Sequence, residues 1–205
     1  MSDVLGIINC GIYAEDVSQD EEQYALENGW IKLESPKYND TWCQGRQTRI
    51  KNSELIYNKK IRKMLDPCHN IESCVKRLDE CDKNELKTVY EQYIKIKSNQ
   101  YKQSDEIFAD FYTHDDFFND LLIDPDYKKI IEYRENGKLH AFVICRTYEK
   151  TNAITSIQFC WDYHKPKIFL GKYSCVKEIE MCIDEGREYL YLGCGYENMC
   201  FYKSM

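Results

Sequence analysis

The 205-residue chain is short of several features, and each absence narrows what the protein can be. No apolar run approaches the ~20 residues that a membrane-crossing helix needs. The N-terminal stretch Met-Ser-Asp-Val-Leu-Gly-Ile-Ile-Asn-Cys lacks the basic region and the length of a signal peptide. The expectation is a cytoplasmic protein with no membrane partner. No two of the eleven cysteines have the C-x-x-C spacing of a zinc site. Cys68-His69, Cys74 and Cys81 form a looser group that reads as buried or incidental thiols, so neither a metal nor any other cofactor is expected. There is no internal repeat and no low-complexity tract. Nor is there a surplus of positive charge: the net charge is −7.

The charge that is present is unevenly spread. From Arg46 to Leu65 seven cations (Arg46, Arg49, Lys51, Lys59, Lys60, Arg62, Lys63) face one acid, Glu54. From Gln103 to Tyr127 there are eight acids and no Lys or Arg. Phosphate would be attracted to the first segment and repelled by the second. Lys59, Lys60, Arg62 and Lys63 are therefore the candidate RNA contacts.

Hydrophobic periodicity and capping signals set out the elements. Ser18 to Asn28 reads as a helix, with Ser18 as N-cap, acids in the first turn and Asn28-Gly29 as the stop. Trp30 to Leu33 begins a strand and Gln47 to Lys51 forms another. Asn58 to Leu65 is a basic helix ending before Pro67. Asp66 to Lys83 is expected to be a linker or insertion. Asn84 to Lys97 is an amphipathic helix, with Leu86, Val89, Tyr90, Tyr93, Ile94 and Ile96 in one stripe. Asp105 to Leu122 is a second helical region with an acidic face. The period then changes. Ile130 to Arg134 and Leu139 to Thr147 are strands joined by a turn centred on Asn136-Gly137. Ala153 to Trp161 is a further strand. Gly171 to Glu185 is a helix with Val176, Ile179 and Ile183 facing inward, and Tyr189 to Leu192 is a buried strand. The expected fold is α+β: a small mixed domain at 1–66, a linker or insertion at 67–83, and a Gcn5-related N-acetyltransferase-like domain at 84–205.

An acyl-CoA enzyme of that fold needs a glycine-rich loop to present backbone N–H groups to a pyrophosphate. The corresponding junction, Trp161 to Ser174, holds one glycine, Gly171. The acyl group should come from another carrier.

The order of motifs resembles the arginyl-tRNA–protein transferases and their bacterial leucyl-transferring relatives. It comprises Asn28-Gly29-Trp30, Thr41-Trp42-Cys43 with Arg49, the basic segment Asn58 to Lys63, Phe-Leu-Gly-Lys-Tyr-Ser at 169–174, Lys177-Glu178-Ile179, Tyr-Leu-Tyr-Leu-Gly at 189–193, and Met199-x-x-Tyr202-Lys203. The segment from Gly193 to Met199 is shorter than the family's. Of the family's four N-terminal cysteines only Cys10 and Cys43 have counterparts, too few for an iron–sulfur cluster.

The resemblance implies transfer of an amino acid, arginine first, from aminoacyl-tRNA to the N-terminal Asp or Glu of an acceptor protein. An aminoacyl ester is already activated, so alignment and a proton acceptor are the main needs. Asp162, ending a central strand, and Glu178, one turn beyond Ser174, are the candidate proton acceptors. Tyr173, Ser174 and Tyr191 would line the ester's cleft, with Gly171, Gly193, Tyr202 and Lys203 on the substrate side. Arg49 would pair with the acidic side chain of the acceptor. Competing readings are an aminoacyl-tRNA-dependent enzyme acting on a small molecule or making a dipeptide, a CoA-dependent acetyltransferase with a degenerate loop, and a non-catalytic binder of acidic N-termini.

Overall fold

A computed structural model describes residues 10–14, 17–32, 41–44, 47–54, 57–101, 117–122, 125–147, 150–165, 168 and 170–194. Tyr202 and Lys203, and the acidic segment up to residue 116, lie outside these.

The first helix, α1 (Gln19–Glu27), forms where its caps predict. Glu21 N–H donates to Ser18 Oγ while the Glu21 carboxylate accepts from Ser18, and Gly29 follows the Asn28 C-cap at φ 81°. Strands β1 (Cys10–Tyr13), β2 (Trp30–Lys32) and β3 (Thr41–Gln44) make a small antiparallel sheet in the order β1-β3-β2. Cys10 and Cys43 fall on adjacent strands, with Gly11 opposite Cys43.

The larger sheet has six strands in the order β4-β9-β8-β7-β6-β5. They are β4 (Gln47–Lys51), β5 (Glu72–Arg77), β6 (Lys128–Glu135), β7 (Lys138–Thr147), β8 (Ala153–Trp161) and β9 (Tyr189–Cys194). All neighbours are antiparallel except β8 and β9. The segment 67–83 was expected to be a linker or insertion. It contains β5, an edge strand that pairs with β6 from Glu72↔Arg134 to Arg77↔Lys129. The other edge, β4, comes from the segment 1–66, so this sheet draws on both sides of the expected boundary at 66.

Helices cover both faces. α2 (Lys59–Leu65) is capped by the Asn58 side chain and buries no residue. α3 (Lys83–Tyr101) runs further than its sequence pattern indicates and buries Leu86, Val89, Tyr90 and Tyr93 with Phe118 and Leu121 of α4 (Phe117–Leu121). α5 (Leu170–Asp184) covers the other face with Leu170, Ile179, Met181 and Cys182. Strand β7 lies between the layers. Ala141, Val143 and Cys145 face the α5 core, while Phe142 and Ile144 face the α3 core, so the strand is apolar on both faces. Ile183 was expected to point inward with Val176 and Ile179; it lies on their stripe, in the last turn of α5, and is 50% exposed.

The β6–β7 turn has Asn136 at φ 52° and Gly137 at φ 80°, the left-handed pair that matches strand twist. The connection β8–α5–β9 is the sheet's parallel crossover. Its two strands pair only from Ala153↔Tyr189 to Thr155↔Tyr191, although β8 continues to Trp161 and β9 to Cys194. Beyond Thr155 this pair parts, at the carboxyl ends of the parallel strands, the end of the sheet where open sheets of this kind bind ligands.

Candidate active site

Four polar side chains gather at the end of the sheet where β6 stops, β7 starts and β8 stops. The cause is register: Ala141 pairs with Trp161, so His140 faces Asp162, whose N–H donates to the His140 carbonyl at 2.9 Å. His140 Nδ1–H donates to Asp162 Oδ2 at 2.7 Å, and His164 Nδ1–H donates to Oδ1 at 3.0 Å. The backbone N–H of His164 also reaches Oδ1, at 3.0 Å, closing a tight Asx-type turn. The turn holds Tyr163 at φ 56°, a strained conformation for a bulky residue, paid for by packing its ring against Trp161 at 4.2 Å and Tyr93 at 6.4 Å. The two imidazoles stack at 3.6 Å. Glu135, the last residue of β6, approaches His164 Nε2 at 3.3 Å and accepts from Lys165 Nζ.

Burial alone would raise the Asp162 carboxyl. The His164 N–H and the His140 imidazole outweigh burial and hold it below the usual range. The Lys165 ammonium likewise lowers Glu135. Asp162 is thus a poor proton acceptor by itself and a good orienter of imidazole. His140 Nε2 makes no hydrogen bond among the described residues, so its lone pair is available for a proton. Glu135, His140 and His164 each place one ligand atom within 4.8 Å of the others, making them the described residues able to hold a metal ion. Cys68, Cys74 and Cys81 do not form such a group; Cys68 and Cys81 are buried, and burial pushes the Cys81 thiol up to about 12.

Ser174 and Glu178 also come together, but inside the protein. Tyr133 Oη–H donates to Ser174 Oγ at 2.9 Å, and Ser174 donates to Glu178 Oε1 at 2.8 Å. All three are at most 1% exposed. The expectation of Ser174 as a cleft residue and Glu178 as an accessible acid meets a sealed chain under α5. Tyr173 anchors the same helix by donating to the Ile71 carbonyl at 3.1 Å. Gly171 lies in the first turn of α5, and Gly193 takes φ 72° near the end of β9.

Arg49 and Tyr191 are register partners. The guanidinium reaches Tyr191 Oη at 3.5 Å and covers the Tyr189 ring at 4.5 Å; the Tyr191 hydrogen bond raises its pKa further. Tyr191 lies level with Thr155 of β8, seven residues before Asp162. At about 3.3 Å per residue Arg49 is roughly 20 Å along the sheet from Asp162. The two cannot hold the side chain and the amine of one residue. Lys59, Arg62 and Lys63 are exposed and line a cleft of ≈ 780 Å³ with Tyr57 and Asp66; Lys60 is exposed beside them.

His140 and His164 were not singled out from sequence. The available signal was the Asp-x-His spacing directly after a strand; His140 needed the β7/β8 register.

The sequence profile described as "arginine-tRNA-protein transferase, C terminus" matches residues 85–201, more than half of the chain. The chain belongs to the arginine-tRNA-protein transferase family. The match spans Glu135, His140, Asp162, His164, Ser174, Glu178 and Tyr191 and stops short of Arg49 and α2, which precede it. The family is one of aminoacyl-tRNA-dependent transferases. No curated protein matches the sequence. Among solved structures, the chain is similar to the C-terminal domain of a protein named as a lysylphosphatidylglycerol synthetase from Agrobacterium fabrum (TM-score 0.54, 15% identity, 78% of this chain, 49% of that chain). It is also similar to L-PGS from Bacillus licheniformis (TM-score 0.51, 12% identity, 85% and 50%) and to a Bacteroides thetaiotaomicron protein of unknown function (TM-score 0.52, 15% identity, 77% and 54%). The chain thus spans about half the length of these structures. At such identities the likeness is one of fold: a mixed α+β domain on a large mixed sheet.

Proposed function

We propose that the chain transfers an aminoacyl group, arginine first, from charged tRNA to the α-amine of a protein whose first residue is Asp or Glu. Family membership supports the reaction class, and the Asp162–His140 pair at the carboxyl end of β8, the strand that parts from β9 beyond Thr155, is the observation that carries the chemistry. His140 Nε2 takes a proton from the acceptor's amine while Asp162 holds the opposite nitrogen, the division of labour used wherever a carboxylate orients a basic imidazole. The amine nitrogen then bonds to the ester carbonyl carbon. The bond from that carbon to the tRNA ribose oxygen breaks, and the ribose hydroxyl leaves with the proton returned by His140.

Asp162 keeps its place in the site but acts through His140. Ser174 and Glu178 act as positioning residues that fix α5, with Gly171 and Tyr173 in its first turns. Arg49 and Tyr191, too distant to read the acceptor's first side chain, serve a more remote part of a substrate. Lys165, 47% exposed and paired with Glu135, is the cation assigned in this reading to an acidic first residue. Lys59, Lys60, Arg62 and Lys63 supply phosphate contacts to tRNA.

The test combines purified protein, tRNA, arginyl-tRNA synthetase and labelled arginine with peptides beginning Asp, Glu or Ala. Label on the Asp and Glu peptides alone is expected. Leucine and lysine are run in parallel, and label on none of the peptides with any donor overturns the reading. Label in a free dipeptide or a lipid would move the acceptor to a small molecule, and binding of acidic peptides without transfer would make the chain a recognition module.

A further inference from the structure

We infer that Glu135, His140 and His164 form a binding site for one divalent transition-metal ion. Asp162 accepts from Nδ1 of both histidines, which fixes both rings in the tautomer that leaves Nε2 bare. A carboxylate on the far nitrogen is the usual support for a metal-ligating imidazole, and here one carboxylate supports two. With its Nδ1 proton committed, His164 presents a lone pair to the Glu135 carboxylate at 3.3 Å. A proton on Nε2 satisfies this contact, and so does a metal ion placed between the two groups. A tetrahedral ion with bonds of about 2.0–2.1 Å separates its ligands by about 3.3 Å. Two nitrogens and one carboxylate oxygen, with water completing the shell, suit zinc, cobalt or another late first-row dication over magnesium or calcium.

The charges agree. Glu135 and Asp162 carry two negative charges and Lys165 returns one, so the pocket holds a net negative charge before an ion enters. Glu135 Oε1 is taken by Lys165, which leaves Oε2 as the ligand. The site is open by a small margin: ligand atoms lie within 4.8 Å and the stacked rings are 19° from parallel. Closure requires the two stacked rings to move apart while Asp162 keeps its hydrogen bonds to both Nδ1 atoms. The ion takes the same His140 lone pair that accepts the proton in the proposed reaction, so it inhibits transfer if that reading holds.

The full chain, stripped with chelator and free of RNA, is titrated with Co2+ and then Zn2+ by absorbance and calorimetry. One equivalent should bind, with a visible Co2+ band and no thiolate charge-transfer band. Glu135→Gln and the His140→Gln/His164→Gln pair should each abolish saturable binding, and Asp162→Asn should weaken it about 10- to 100-fold. Glu135→Gln preserves shape at a partly exposed site, so it serves if the double variant does not fold. Absence of saturable binding at micromolar metal, a thiolate band, or binding unchanged in Glu135→Gln overturns the inference. Binding is read without turnover, so a failed transfer assay does not touch this result, and failed metal binding does not touch the transfer reading.

Discussion

Two polar clusters lie almost side by side in the sheet and are built on opposite terms. Tyr133 pairs with Ala141, the residue after His140, so the Tyr133–Ser174–Glu178 chain and the His140–Asp162–His164–Glu135 group are one position apart in register. The first is shut under α5 and satisfies its hydroxyls internally. The second ends on imidazole nitrogens and keeps 10–16% of its histidine and Glu135 surface open. Polar groups bought at a desolvation cost can hold a fold together or meet a substrate; accessibility separates the two, and residue type does not.

The largest effect should come from the open group. His140→Ala and Asp162→Asn are expected to lower the transfer rate about 10²- to 10⁴-fold. Equal rate losses from Ser174→Ala, at unchanged stability, would break the comparison by drawing the sealed chain into the reaction.

Ser174→Ala should instead appear in folding. It strips the Tyr133 hydroxyl and the Glu178 carboxylate of a partner in a buried setting, a loss of about 2 kcal/mol. Urea denaturation should show a lower midpoint at constant slope.

Acid should separate the clusters as well. The folded Asp162 carboxyl titrates below its unfolded value of about 3.9, so the stability it contributes is fully present above that value. That contribution is lost as pH falls through the folded value. Asp162→Asn should therefore flatten the acid limb of a stability–pH curve, measured by urea midpoints at successive pH values. A steeper limb in the variant would mean the histidines do not hold the carboxylate.

The smallest effects lie outside both groups. Replacing Lys59, Lys60, Arg62 and Lys63 with alanine should leave folding unchanged, because α2 buries nothing. It should reduce the salt slope of tRNA binding by up to about 0.9 per lost phosphate contact. Arg49→Ala should alter the transfer rate by less than His140→Ala does, since roughly 20 Å separates it from Asp162.

How much of this was legible in the chain varied with what holds each part in place. The Ser18 cap, the Asn136-Gly137 turn and the strands on either side follow from local rules and appear where the residues indicate. Strand β5 did not show itself. Glu-Ser-Cys-Val-Lys-Arg has five of its six residues exposed and no inward face to mark it, because pairing with β6 holds it and burial does not. Asp162 could be found as the residue ending a strand. Glu178 could be named but not placed, since nothing in its helix reports that Tyr133 and Ser174 extend a hydrogen-bonded chain to it.

Local chemistry in the sequence determined the helix caps, the tight turn, the two-sided apolar strand β7 and the basic helix α2. Each depends on residues within a few positions of one another, where φ, side-chain reach and periodicity suffice. Tertiary structure alone decided that His140 faces Asp162 and that Arg49 does not. Both outcomes rest on which strands pair and in what register. A one-residue slip between β7 and β8 would turn His140 to the other side of the strand and dissolve the site without changing a single residue.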